Sequence, residues 1–225
     1  MIVGKYDIWY YMVMIYSLTP AKDSKYIQVV KNYFAIQSEW FGMTKESQHL
    51  DLCTCIAKRR KDLMFTGISA CIAYGLPWLD SLEMKPHCIS AKRRSKDIIR
   101  WHFGERDLNA SVINNLLVVS PSQMICDLAK HGSPESLLAV VNQCLADRII
   151  TKKELAAKLE TRPVNMRGKN LLRHLLVFAT ENCESPLETI ALIEIYKAGF
   201  VHPDQQVKIN IKGGSLIRQR KSMII

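Results

Sequence analysis

The chain has 225 residues and carries 31 Lys and Arg against 21 Asp and Glu, a formal net charge of +10, with 48% hydrophobic and 23% charged residues. Those proportions exclude the disordered and fibrous classes and leave room for one large domain or two small ones, with enough chain to bury a core. The longest apolar run near the start, Ile8 to Tyr16, falls far short of the roughly 18–20 residues that a membrane helix needs.

That first run holds Trp9, Tyr10, Tyr11, Met12 and Met14, and it reads as core or as a partner surface. Lys5 and Asp7 cancel, and Thr19-Pro20-Ala21-Lys22 is a poor cleavage site, so no secretory signal is expected. The expectation is a cytoplasmic protein without a membrane partner. Further on, Phe65 to Tyr74 reads as a small-residue helix stopped by Gly75-Leu76-Pro77. His87-Cys88-Ile89-Ser90 and Ile98 to Phe103 read as short strands flanking a basic turn from Ala91 to Asp97, and Leu116 to Val119 as a third strand.

From Ser120 the sequence is punctuated by helix starts. Ser120-Pro121-Ser122-Gln123 and Thr151-Lys152-Lys153-Glu154 have the spacing of capping boxes, while Ser133-Pro134 and Ser185-Pro186 place proline directly after a capping serine. Gly132 is expected as a left-handed stop for the first of these helices and Gly199 as the end of the last. Between them, Leu171, Leu172, Leu175, Leu176 and Ala179 give one apolar helix face starting near Gly168. Gln206 to Ile211 alternates like a strand before Gly213-Gly214. The class is α+β, a mostly helical body with a small sheet.

The charge is concentrated in two stretches, 51–105 and 201–225, each with an excess of four basic groups. Lys58-Arg59-Arg60-Lys61 forms one run, and Lys92-Arg93-Arg94 with Lys96 and Arg100 forms another. Paired basic runs of this kind neutralise phosphates without reading sequence, so DNA is the expected partner. The seven cysteines are odd in number and sit mostly in apolar runs, which fits buried thiols in a reducing compartment. Cys53-Thr54-Cys55 lacks a second ligand pair at zinc-site spacing, and no cofactor or metal is expected. Asp127 reads as a buried structural acid paired with Arg100 or Lys130. The six histidines do not cluster along the chain, and no nucleophile motif or phosphate loop is present.

Three groups of segments carry a family resemblance. Phe65-Thr66-Gly67-Ile68-Ser69-Ala70-Cys71-Ile72-Ala73-Tyr74-Gly75-Leu76-Pro77 and Val119-Ser120-Pro121-Ser122-Gln123-Met124-Ile125-Cys126-Asp127-Leu128-Ala129 resemble segments of AbiEi-type antitoxins, bacterial transcriptional regulators of toxin–antitoxin and abortive-infection systems. Glu184-Ser185-Pro186-Leu187-Glu188, Ala198-Gly199-Phe200 and Pro203-Asp204-Gln205-Gln206-Val207 resemble the opening of a Vsr-like endonuclease domain. The resemblance covers roughly residues 50–210. It implies an N-terminal region 1–50, a diverged or truncated winged helix; an AbiEi-like α+β domain, 51–165; and a truncated restriction-endonuclease-like remnant with a basic tail, 166–225.

The resemblance also implies a function: a non-enzymatic DNA-binding regulator or antitoxin-like protein, with a cognate toxin as a further partner. The nucleic-acid-binding residues would be Lys58, Arg59, Arg60, Lys61, Lys92, Arg93, Arg94 and Lys96. The alternative is a degenerate Vsr-like endonuclease, for which Glu188 is the one carried-over acid. Gln123 and Met124 stand where the family has Arg and Thr, and the further acids and lysine of the nuclease motif do not follow Ile211. Glu188 also fits the third position of a capped helix, so the reading leans away from catalysis.

Overall fold

The computed structural model describes residues 25–92, 98–104, 107–183 and 185–200, with 203 and 205. The apolar run at the N-terminus, the Gln206–Ile211 strand and basic residues Arg93, Arg94 and Lys96 lie outside the described residues.

The described chain opens with an antiparallel hairpin, β1 (Tyr26–Val30) and β2 (Tyr33–Ile36), turning at Lys31 and Asn32, where Asn32 takes φ 66°. A short helix α1 (Gln37–Gly42) buries Trp40 beside Ala35, and these two form a small cluster of their own with Ile27, Val29, Met43 and Met84. Thr44 then caps α2 (Lys45–Arg59), its hydroxyl accepting from the Ser47 amide. The inward face of α2 mixes Leu52, Cys53 and Ile56 with the buried polar residues Gln48, His49 and Asp51.

The middle of the molecule is a sheet assembled around one residue. Strands β3 (His87–Ser90) and β4 (Arg100–Phe103) pair in parallel, His87 opposite Arg100 and Ser90 opposite Phe103. Strands β5 (Ser111–Ile113) and β6 (Leu116–Val118) form a hairpin whose two turn residues, Asn114 and Asn115, both have positive φ, as a two-residue primed turn requires. Phe65 lies between the two pairs. Its amide donates to Leu117 O and its carbonyl accepts from Val119 N, while the amide of Ile89 donates to Met64 O and that of Thr66 to His87 O. The resulting order is β4, β3, Phe65, β6, β5. Strands β3 and β4 run parallel, so the two strands that flank the basic segment do not form a hairpin.

Helix α3 (Gly67–Ala73) follows Phe65 and is buried throughout. It packs on α2, β3 and α4 (Pro121–Leu128), and α4 packs in turn on α5 (Pro134–Ala146) and α6 (Lys152–Glu160). Helices α7 (Lys169–Phe178) and α8 (Pro186–Lys197) close the body against α5. The four expected N-caps are all present: Ser120, Ser133, Thr151 and Ser185 each accept a hydrogen bond from the amide three residues on.

Two details differ from expectation. Thr151 and Glu154 complete a reciprocal capping box, but Gln123 does not reach back to Ser120; its amide group instead donates to Asp127 Oδ2 at 2.9 Å. Gly132 is not a left-handed stop, since its φ is not positive. It is needed because a Cβ there would come within 2.8 Å of the Trp78 ring.

One hydrophobic cluster of buried residues runs from Tyr33 to Ala179 and includes Leu52, Phe65, Val118, Ile125, Leu138, Leu155 and Leu172. The boundary expected after residue 50 falls inside α2, and α7, beyond residue 165, contributes Leu172 and Leu175 to the same cluster. All seven cysteines are thiols, six of them buried and Cys55 half-buried. Among the described residues no helix is long and apolar enough to cross a membrane.

Candidate nucleic-acid interface

The first basic run sits where α2 ends. Lys58 and Arg59 occupy its last turn, where cations complement the exposed carbonyls of the helix, so part of their placement is explained by helix electrostatics alone, worth about 0.3–1 kcal/mol each. Their further arrangement is not. The Arg59 guanidinium lies 5.7 Å from the centre of the Tyr33 ring in β2, and that of Arg60 lies 5.2 Å from the Trp101 ring in β4. Two consecutive arginines thus spread over aromatic rings from two different sheets, which pins the run to the surface. Lys58, Arg59 and Lys61 are exposed, and Arg60 is half-buried beneath them.

The second run leaves the adjacent strand. Ser90, at the end of β3, accepts from the Lys92 amide and donates to the Lys92 carbonyl at 2.9 Å, a local turn that presents Lys92 to solvent. Since β3 and β4 are in register, Trp101 under Arg60 lies on the same face of the strand pair as Ser90, on which the Lys92 turn closes. Arg100 faces the other side of β4 and donates to Glu83 Oε2 at 2.9 Å, not to Asp127.

Behind this surface lies a polar network that the sequence did not disclose. Four histidines far apart in the chain, at 49, 87, 102 and 131, are brought together by α2, β3, β4 and the end of α4. Glu83 O can only accept, so His49 Nδ1 carries the proton and donates to it at 3.0 Å. His49 Nε2 therefore accepts from the Ser69 hydroxyl at 2.8 Å. Ser69 Oγ also accepts from the His87 amide. His87 Nε2 stands 3.5 Å from Glu83 Oε2, without hydrogen-bond geometry. His87 Nδ1 and His102 Nε2 share a hydrogen bond at 3.0 Å. The His131 ring centre is 6.1 Å from that of His102.

Burial, more than any neighbour, holds these rings neutral. It lowers His49 to about 4 against a weaker opposing pull from the Glu83 carbonyl. Burial also lowers His102 to about 4, although Asp127 works the other way. His87 is pushed down furthest, by burial and then by the charges that His102, His49 and Arg100 would present to it. Beside the histidines, Asp127 is buried on α4 and bonded by Thr66 Oγ1 at 2.6 Å, Gln123 Nε2 at 2.9 Å and Lys130 Nζ at 2.6 Å. Burial would raise its pKa, but Lys130 and these hydrogen bonds outweigh that, and the carboxyl lies below its ordinary range.

The Ser69–His49 pair has the contact of a nucleophile and its base, but both residues are 0% exposed and Ser69 already accepts from a backbone amide. The network ties α2, α3, β3 and β4 together; it does not open to a substrate. Among the described residues no three His, Cys, Asp or Glu side chains are grouped so as to hold a metal ion. Glu188 is the third residue of α8, half-buried, with its amide donating to the Ser185 hydroxyl at 3.3 Å.

Comparison with protein-family models, with curated proteins and with solved structures returned no match.

Proposed function

We propose that this chain is a non-enzymatic nucleic-acid-binding regulator, of the kind that its resemblance to AbiEi-type antitoxins implies. The supporting observation is the pair of stacked arginines. Arg59 on Tyr33 and Arg60 on Trp101 hold one basic run beside the β3–β4 pair, and the second run leaves the end of β3. Lys58, Lys61 and Lys92 are exposed around them, and Arg93, Arg94 and Lys96 continue the second run in sequence. A cognate toxin is a further proposed partner, and a degenerate Vsr-like nuclease remnant is the proposed origin of the C-terminal part.

The test is fluorescence anisotropy of a labelled duplex titrated with the full chain over a range of salt. The logarithm of affinity should fall linearly with the logarithm of salt concentration, with a slope of about −0.9 per phosphate contacted. A Lys58→Ala, Lys61→Ala, Lys92→Ala triple variant should flatten that slope by about 2–3. The same duplex incubated with Mg²⁺ or Mn²⁺ should stay intact. Absence of binding at low salt, or binding insensitive to salt, would remove the regulator reading; cleavage abolished by Glu188→Ala would replace it with the nuclease one.

A further inference from the structure

Strand β4 is one of the two outer strands of the sheet among the described residues, and its four residues alternate between two faces. Arg100 and His102 turn toward Glu83 and His87. Trp101 and Phe103 lie on the opposite face. Their spacing of two residues sets them about 6.6 Å apart along the strand.

Phe103 is 64% exposed and so presents a ring face to solvent. Trp101 is half-buried and carries the Arg60 guanidinium over its face, a flat cationic layer. Lys92 projects to solvent two residues beyond Ser90, which pairs with Phe103. Trp101 packs inward on the core beneath Arg60; Lys61 and Asp62 follow Arg60 in the chain, and Lys92 follows the Ser90 turn, with Lys61 and Lys92 exposed.

We propose that this face of β4 is a stacking platform for unpaired bases, so that the chain binds single-stranded nucleic acid more tightly than the duplex it also takes. One base would stack on the Arg60–Trp101 pair and a neighbouring base on Phe103, with Lys61 and Lys92 against the intervening phosphates. The proposal rests on the nucleic-acid reading above and sharpens it. A duplex buries its base faces within the helix and can use the lysines alone, leaving Phe103 without a role. A single strand can use both, because every base has a face to stack and sheet-borne aromatic rings receive such bases. The basic residues Arg60, Lys61 and Lys92 favour a polyanion as the occupant.

The experiment compares three labelled probes of equal length at fixed low salt: oligothymidylate of about twenty nucleotides, the matching duplex, and an abasic strand that keeps the phosphates alone. Oligothymidylate should bind more tightly than either of the others. Phe103→Ala, at an exposed position, should weaken oligothymidylate binding about 5- to 150-fold while leaving the duplex nearly unchanged, and Phe103→Tyr should restore it. The bound strand should quench Trp fluorescence, and Trp101→Phe should remove that quenching. Equal binding of oligothymidylate and the abasic strand, or no effect of Phe103→Ala, would overturn the stacking platform while leaving the regulator reading intact. If none of the three probes binds, both fall.

Discussion

Acidification is the sharpest test of the polar network behind the sheet. His49 and His102 are held at about 4 in the folded chain, and His87 lower still, against an ordinary value of 6.5. A group with a depressed folded-state value is protonated first in the unfolded chain. Its stabilising contribution is therefore complete above pH 6.5 and is lost as the pH falls toward the folded value. Between about pH 7.5 and pH 5.5 each such histidine removes about 1.3 kcal/mol, so three acting independently remove about 4 kcal/mol. That is a large part of the about 5–15 kcal/mol expected for a domain.

The groups around the rings do not blur this window. Asp127 has a lowered value and loses its contribution only at more acidic pH, while Cys53, which faces Ser69, is raised to about 12. Glu83 faces His87, Arg100 pairs with Glu83, and Lys130 pairs with Asp127. His131 is lowered too, but it is exposed enough to contribute little. Urea unfolding at the two pH values measures the difference directly, and His102→Gln should reduce the pH dependence by about one third whatever it does to absolute stability. A stability unchanged within about 0.5 kcal/mol across that range would refute the buried, neutral state of these rings.

Two further outcomes follow from individual contacts. Lys130→Met leaves the Asp127 carboxylate buried without its cation and should cost about 3 kcal/mol at neutral pH, read by chemical unfolding. Gly168→Ala should cost more than about 3 kcal/mol or abolish soluble expression, because its Cβ would lie 2.0 Å from the Ala129 carbonyl oxygen and φ is +82°. Gly75→Ala, with φ +71° and open space around it, isolates the backbone part at about 1–2 kcal/mol.

The C-terminal helices were legible because their signals are local: Ser120, Ser133, Thr151 and Ser185 announce a cap within four residues of sequence. Helix α2 was not. Its buried face carries Gln48, His49 and Asp51, so the apolar period that reveals a helix is broken by the residues that build the polar network. The hairpin turns at Lys31-Asn32 and Asn114-Asn115 lack glycine, which weakens the usual signal, although asparagine tolerates positive φ. The histidine cluster is a tertiary product, assembled from α2, β3, β4 and the end of α4, with no trace in spacing. The basic runs were visible as composition, but which rings they cover depended on folding, and only that arrangement distinguishes a surface with a use from a solvated one.

Phe65 has a consequence for how quickly the chain reaches this state. It is the single residue through which two separate strand pairs become one sheet, bridging Cys88 on one side and Val118 on the other. Neither bridge is local, and each requires a long loop to close before any hydrogen bond rewards it. Helices α5 to α7 depend on near neighbours and can form early, whereas the sheet has to wait for residues 65, 88 and 118 to meet. The slow step of folding should then be the docking of β3 and β6 onto Phe65. Until that step is complete, both strand pairs present open edges, and it is in this interval that the chain is most exposed to self-association.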